Sequence, residues 1–479
     1  MEGAGAQGTV LIITIAMVVA YLALTTWLTV RYRARTSADY MVAGRSVPAV
    51  VIGVLMMSEF IAPKSTIGVA QAAFDSGMAA AWAVASVSLG FLLFGWGFAR
   101  RLYGSGEYTI SAAIAQKYGR STQLTVSLIM IYALLLVLVA QYVSGAAVLT
   151  SAFGLPPTTA SIVIAGISTT FCMIGGQKST AYVSMMHTVL KIVGVAIVLG
   201  VALSMSGGVT PVIAALPPTY FTWDGSIGLT TIIAWTIASI GAIFSTQFIV
   251  QAISSLKGPG DVRRACIISA LLCLPVSLAL GLIGVTAKFL FPGMKSLYAF
   301  PVFLGHMSPF LSGLVMVSII ASILVAVGTV VVAASALIVR DFYVPIWKPS
   351  ADRELRVSRL LAIPIAFLPL LLVFFAPQVL HLSFFTRALR LAISVVAIFA
   401  FYLPGFGSNR GATLGLLGAT VTTTSWYLMG DPLGIDDIYV ALVTPAIVIV
   451  LERLIRRVGS SGNDTNLSGH VSNAAVPKL

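Results

Sequence analysis

The chain has 479 residues, 58% hydrophobic and 9% charged, with a mean hydropathy of +1.01. Soluble proteins carry roughly a quarter charged residues, so this composition excludes an ordinary soluble domain and predicts an integral membrane protein. The formal net charge of +13 would suit nucleic acid, but its placement argues against that partner.

A bilayer core of about 30 Å needs roughly 20 apolar residues per helix. About thirteen such stretches follow one another, at approximately 9–30, 48–73, 78–99, 122–150, 158–174, 183–205, 228–254, 265–291, 311–339, 357–375, 379–403, 411–428 and 437–454. The runs are continuous and do not alternate as barrel strands would, which predicts an all-α membrane protein. The opening "MEGAGAQGTVLIITIAM" has no basic n-region, so it is read as the first span and not as a removable signal.

Arginine and lysine gather in alternate loops: Arg31, Arg33, Arg35 and Arg45; Arg100, Arg101, Lys117 and Arg120; Lys257, Arg263 and Arg264; Arg340 to Arg359; Arg410; and Arg453 to Arg457. The positive-inside rule then predicts a cytoplasmic C-terminus and, with an odd number of spans, an outer N-terminus in a cell (inner) membrane. Residues 1–458 are read as one membrane domain, with 459–479, "GSSGNDTNLSGHVSNAAVPKL", as a disordered cytoplasmic tail. Cys172, Cys266 and Cys273 have no paired spacing and are read as packing residues.

Secondary transporters often consist of two inverted repeats, each beginning with a helix broken near the midplane. In "SEFIAPKSTIG" (58–68) Pro63 has no N–H for the carbonyl of Glu59 and its ring crowds that carbonyl, so the second span should open there. The counterpart five spans later is "IASIGAIFSTQFIVQ" (237–251), where the polar cluster Ser245, Thr246 and Gln247 marks a weaker signal for a break in the seventh span.

Ordered segments then carry a family resemblance. "DYMVAGRSVPAVVIG" (39–53), "STIGVAQAAFDSGM" (65–78), "GEYTISAAIAQKYG" (106–119), "GGQKSTAYVSMMHTVLKIVG" (175–194), "TQFIVQAISSLKGPGDVRRA" (246–265) and "ASALIVRDFY" (334–343) resemble the sodium:solute symporter family over residues 39–343, and the remainder more loosely. The resemblance implies a leucine-transporter-type core at about 48–403, five helices plus five, with substrate near the midplane and spans 1, 12 and 13 peripheral. Family members that use sodium usually place two adjacent hydroxyl residues in the ninth span. Counting back from Asp341, those positions are Val325 and Ala326, which offer no side-chain oxygen to a hard cation. Where the family commonly reads AYTDxxQ, "AYVSMMH" (181–187) has Ser184 and His187. Ser322 and Thr329 are the remaining candidates for a weak sodium site. Lys64 stands where sugar-carrying relatives have a substrate-binding glutamate.

An ammonium at the bilayer centre costs roughly 2.5–3.5 kcal/mol on the lenient insertion scale, so Lys64 needs water, a counter-ion or a ligand. Glu59 is five residues away, roughly 140° around an intact helix, and could pair with it only across the break; that pairing is the bland alternative to a substrate role. Arg387 and Arg390 share one face of the eleventh span, roughly 12–17 Å deep at 1.5 Å per residue, as solute ligands or as ties to neighbouring carbonyls. His187 is read as an interface histidine, Trp82 and Trp235 as packing or anchors, and Thr246, Gln247 and Gln251 equally as site residues or interhelical glue.

There is no nucleophile elbow, H-E-x-x-H or phosphate loop, so an enzyme is not expected, nor any cofactor. The expectation is a secondary transporter of a small, carboxylate-bearing solute. Its substrate contacts would be Lys64, Ser65, Thr66, Gln71, Thr246, Gln247 and Arg387, with Glu59, Pro63, Phe248 and Arg390 in coupling or gating. Coupling to sodium or to protons, or exchange, stays open, as does the oligomeric state. A conventional sodium symporter and a transporter-like sensor are the alternatives.

Overall fold

The computed structural model describes residues 2–375 and 379–467. Among them the chain is almost wholly helical, with no strand beyond an isolated bridge between Val47 and Leu256. Hydrocarbon offers the backbone no partners, and a helix satisfies its own polar groups along the segment.

The main helices are α1 (Glu2–Arg31), α2 (Ala49–Phe60), α3 (Pro63–Ser76), α4 (Trp82–Leu93), α5 (Arg120–Phe153), α6 (Pro157–Ser206), α7 (Leu229–Ser245), α8 (Gln247–Ser254), α9 (Gly260–Leu290), α10 (Pro309–Leu337), α11 (Ala351–Phe367), α12 (Val379–Tyr402), α13 (Asn409–Leu428) and α14 (Asp437–Leu467). Nine helices among the described residues are long and apolar enough to span a bilayer, or eleven if each of two bent pairs is one span. The 50-residue α6 contains two of the segments expected from sequence, parted at Gly176, whose φ of +62° interrupts the helix. α13 is the less apolar segment, rich in threonine. α14 continues to Leu467, so residues 459–467 of the expected disordered tail are helical, while 468–479 lie outside the described residues.

α10 is the centre of the bundle, almost entirely buried between α6, α5, α1 and α11. The pair α2–α3 packs on α9 along its length, with α6 beside α2 and α12 and α5 beside α3. α7 lies along α12. α1 and α14 are outermost, with only 22% of each apolar window covered. Both bends lie in the interior: α2 meets α3 at 48° and α7 meets α8 at 50°.

Small residues allow these close approaches. A Cβ at Gly284 of α9 would run into the Ala70 carbonyl of α3 and lie 2.7 Å from Ala73 Cβ, whereas at Gly200 it would meet nothing within 4 Å. Gly284→Ala is therefore expected to lower stability by about 1–3 kcal/mol through overpacking, with Gly200→Ala near neutral. Thermal unfolding of the two variants in detergent checks this, and equal midpoints would contradict it.

Candidate functional site

The first break occupies Ile61 and Ala62, whose backbones leave the helical region. Ile61 N–H is the last to bond back along α2, to Met57 O at 2.9 Å. Pro63, at the first position of α3, has no N–H to offer Glu59. The next carbonyl needing a donor, Ser58 O, receives one from another helix: Lys191 Nζ of α6 donates to it at 2.9 Å and to Ser58 Oγ at 2.8 Å. On the other side of the break, Lys64 N–H donates to Gln141 Oε1 of α5 at 3.1 Å.

Lys64 is buried, and its ammonium has no hydrogen-bond partner among the described residues. It lies within Coulomb range of Arg390, Arg387 and Glu59. No ion pair joins Glu59 to Lys64 among the described residues. Glu59 rests against Thr329, and its Oε1 has no partner. Ser65 Oγ is buried and unpartnered. Thr66, Lys191 and Ser322 border a void of only 10 Å³, and the Ser322 hydroxyl is unpartnered among the described residues. Thr329 Oγ1 bonds to Val325 O at 2.9 Å, and Val325 and Ala326 are buried apolar contacts.

The second break is at Thr246, extended at φ −61° and ψ 127°. Arg390 Nη1 donates to Thr246 Oγ1 at 3.0 Å, while Ser245 Oγ donates to Arg390 O at 2.7 Å. The other Arg390 nitrogens are taken by Thr386, Nε by its carbonyl at 2.8 Å and Nη2 by its hydroxyl at 3.1 Å. Arg387 is different. Nη1 donates to Ala83 O at 2.9 Å and Ser239 Oγ at 2.7 Å, but Nε and Nη2 are buried with no partner among the described residues. Its guanidinium lies 4.5 Å from the Phe384 ring centre.

Phe384 stacks on Trp235 at 4.6 Å, and this pair is the inner wall of a 450 Å³ vestibule open on the face away from the basic loops. Gln71 reaches this vestibule, whose rim holds Asp75, Asp431, Asp436, Asp437 and His381. Burial, together with the charge of Asp431, raises the Asp436 carboxyl above the usual range. A second cavity, of 610 Å³, opens on the basic face beside Glu107, Gln116, Gln123, Arg340 and Asp341. Asp341 there accepts from Ser111, Ser127, Gln123 and Thr109, tying the end of α10 to residues 109–127.

Gln247 belongs to this basic side. Its Oε1 accepts from Ile110 N at 3.0 Å and its Nε2 donates to Tyr108 O at 2.9 Å, so both ends of the amide are engaged away from Lys64. Gln251 is fully buried with both amide atoms unpartnered. Phe248 meets Phe60 edge-on at 5.9 Å and links the two broken helices. His187 bonds to the Tyr21 hydroxyl of α1, Trp82 Nε1 donates to Trp223 O at 2.9 Å, and all three cysteines are buried and free.

The family model "Sodium:solute symporter family" matches residues 40–418. The chain belongs to that family. Solute carrier family 5 member 4 of Rattus norvegicus is 24% identical, over 83% of this chain and 68% of its own. The sodium/pantothenate symporter of Escherichia coli (strain K12) is 22% identical, over 68% of this chain and 70% of its own. A solved outward-open, substrate-bound sodium-coupled sialic acid symporter superposes with a TM-score of 0.77 at 17% identity, covering 92% of this chain and 96% of that one. The leucine-transporter-type fold implied by the resemblance is the fold of this symporter. Its family moves small organic solutes across membranes, and the chain is a secondary transporter and not an enzyme.

Several groups that shape this transporter's interior were passed over in the sequence. Lys191, Gln141 and Ser239 stand in no motif of their own, and Asp341 serves in the sequence only as the reference from which Val325 and Ala326 are counted. The depth arithmetic that singled out the arginines also fits Lys191, which lies eight residues into the 183–205 span, roughly 12 Å from its start.

The two arginines of this symporter should separate. Arg390→Gln removes three charge-assisted bonds and strips Thr246 of its donor, lowering stability by roughly 2–4 kcal/mol. Arg387→Gln, with fewer bonds to lose, should cost about half as much. Thermal midpoints of the solute-free proteins check this; equal losses would contradict the division.

Proposed function

We propose that this symporter moves a small carboxylate-bearing solute by alternating access. One observation carries the reading: buried Lys64, just after the first break, makes no hydrogen bond through its ammonium among the described residues, and Arg387, within Coulomb range of it, keeps Nε and Nη2 unpartnered. Cationic donors left without partners are costly in a low-dielectric interior, and a carboxylate that reached them would offset that cost. Pantothenate and sialic acid, which name two of the similar transporters, are themselves carboxylates, which supports the choice of class.

The vestibule refines it. Its acidic rim opposes a bare anion, whereas a solute carrying an amine beside its carboxylate meets aspartates at the mouth and cations within. The aromatic pair Trp235–Phe384 acts as the thin gate on that side, and the Asp341 and Gln247 ties as the thick gate on the basic side. By the positive-inside rule that basic side is the cytoplasm, with the N-terminus outside.

On this reading the driving ion is a proton, or transport is exchange, since Val325 and Ala326 supply no oxygen at the usual sodium positions. Sodium coupling is the second reading, favoured by the names of two of the similar transporters, a sodium/pantothenate symporter and a sodium-coupled sialic acid symporter.

Thermal stability of the purified protein against carboxylates, amino acids, sugars and amines tests the proposal, because a ligand that binds only the folded state raises the midpoint by mass action. Carboxylates, and amino acids above all, should stabilise the wild type. Lys64→Ala should weaken their apparent affinity roughly 10- to 100-fold, the worth of one hydrogen bond to a charged group. Stabilisation by sugars alone, or undiminished affinity in Lys64→Ala, would sink the carboxylate assignment.

A further inference from the structure

The carbonyl end of a half-helix inside a membrane is a place for a cation. The partial negative charge of the helix C-terminus and the carbonyls freed by the break both point there. In this protein that end is α2, and the group bound to it is a side chain. Lys191 Nζ donates at 2.9 Å to the Ser58 carbonyl, three residues before the break, and at 2.8 Å to the hydroxyl of the same residue.

We propose that the Lys191 ammonium is a built-in cation at the first break, tethered to α6, which takes the position a mobile sodium ion would otherwise hold. This rests on the transporter reading above and adds to it the residue that replaces the ion.

Three further observations agree. Space is the first: the void beside Lys191 and Ser322 is 10 Å³, at most about one water molecule, and an ion entering it would meet the ammonium's like charge. Second, the side-chain oxygens at the usual sodium positions are few: Val325 and Ala326 have none, and the Thr329 hydroxyl donates to Val325 O, while the unpartnered Glu59 Oε1 belongs to a carboxyl that already has Lys191 as its cation. Third, the groups facing Lys191 suit a resident cation: Glu59 at the end of α2 supplies the opposite charge, and Cys273 of α9 is a neutral thiol neighbour. Lys64 of α3 lies beyond Glu59, and His187 is one turn back on α6.

The arrangement is repeated at the other break. There Arg390 of α12 reaches Thr246 at the end of α7. In a five-plus-five core, the sixth expected span (183–205) closes the first repeat and the eleventh (379–403) closes the second. Each break therefore has a cation from the last helix of its own repeat.

The test uses the full chain in detergent, without solute, with sodium chloride exchanged for choline chloride at constant ionic strength. The wild type should show the same thermal midpoint in both salts. Lys191→Ala should lose stability in choline and regain part of it with sodium, saturably, because the emptied position then accepts an ion. A saturable, sodium-specific rise in the wild type would overturn the proposal, as would a folded Lys191→Ala that does not respond to sodium. Should that variant fail to fold, the wild-type titration still decides, and Lys191→Arg, which keeps the charge, should remain indifferent to sodium. Solute binding is read separately: carboxylate stabilisation in a sodium-responsive wild type would leave the carboxylate assignment standing and remove this one, whereas a sodium-indifferent protein that binds no carboxylate would do the reverse.

Discussion

A backbone carbonyl that loses its amide partner inside a bilayer must find another donor, because nothing in hydrocarbon will supply one. Pro63 creates that requirement in the first broken helix, and most of the interior is arranged around meeting it. On the α2 side Lys191 donates to the freed Ser58 carbonyl, and on the α3 side Gln141 Oε1 accepts from the freed Lys64 N–H, which fixes α6 and α5 against the break. The second break has no proline and is held differently. Thr246 bonds its hydroxyl back to Ala242, receives Arg390, and sits beside Ser245, whose hydroxyl holds the α12 backbone. In both cases a long cationic side chain from a distant helix makes irregular backbone tolerable where it is buried in protein.

These ties also decide which cations are available for other work. Arg390 and Lys191 have partners suited to them, while Lys64 and part of Arg387 do not. The difference comes from position along each helix. Arg390 projects toward the bend in α7, where hydroxyls collect. Arg387, one turn earlier, faces the straight part of α7 and α4, where only Ser239 and one carbonyl answer it. One helix thus holds a structural arginine and a partly unengaged one on the same face.

Much of this was legible in the sequence. Continuous apolar runs gave an all-helical membrane protein, the alternation of basic loops gave two distinct faces, and a proline between Glu59 and Lys64 marked the break. What stayed hidden depends on how helices are turned against one another. Gln247 looks like a site residue because it follows a break, yet the 50° bend carries it to the basic side, where it bonds residues 108 and 110. The span of Lys191, drawn alone, gives its depth but no partner. Only the packing of α6 on α2 brings it to Ser58, and no spacing rule connects residues 133 positions apart. Trp235 reads as packing, which is true of its stack on Phe384, but that stack also forms the wall between the vestibule and Arg387.

The electrostatic profile along the path is the strongest constraint on what such a protein can carry. From the open vestibule inward, the chain presents aspartates, then an aromatic wall, then Arg387 and Lys64, with Glu59 and Lys191 beyond them. A bare anion is repelled at the mouth and a bare cation in the interior, so neither passes through favourable potential throughout. On the proposed carboxylate reading, a solute bearing both charges would turn its amine to the rim and its carboxylate inward, each end in the field that suits it. Phe384, stacked on Trp235, both lines the vestibule and contacts the Arg387 guanidinium. On the opposite face Asp341 engages four side chains, which ties the chain after α10 to residues 109–127.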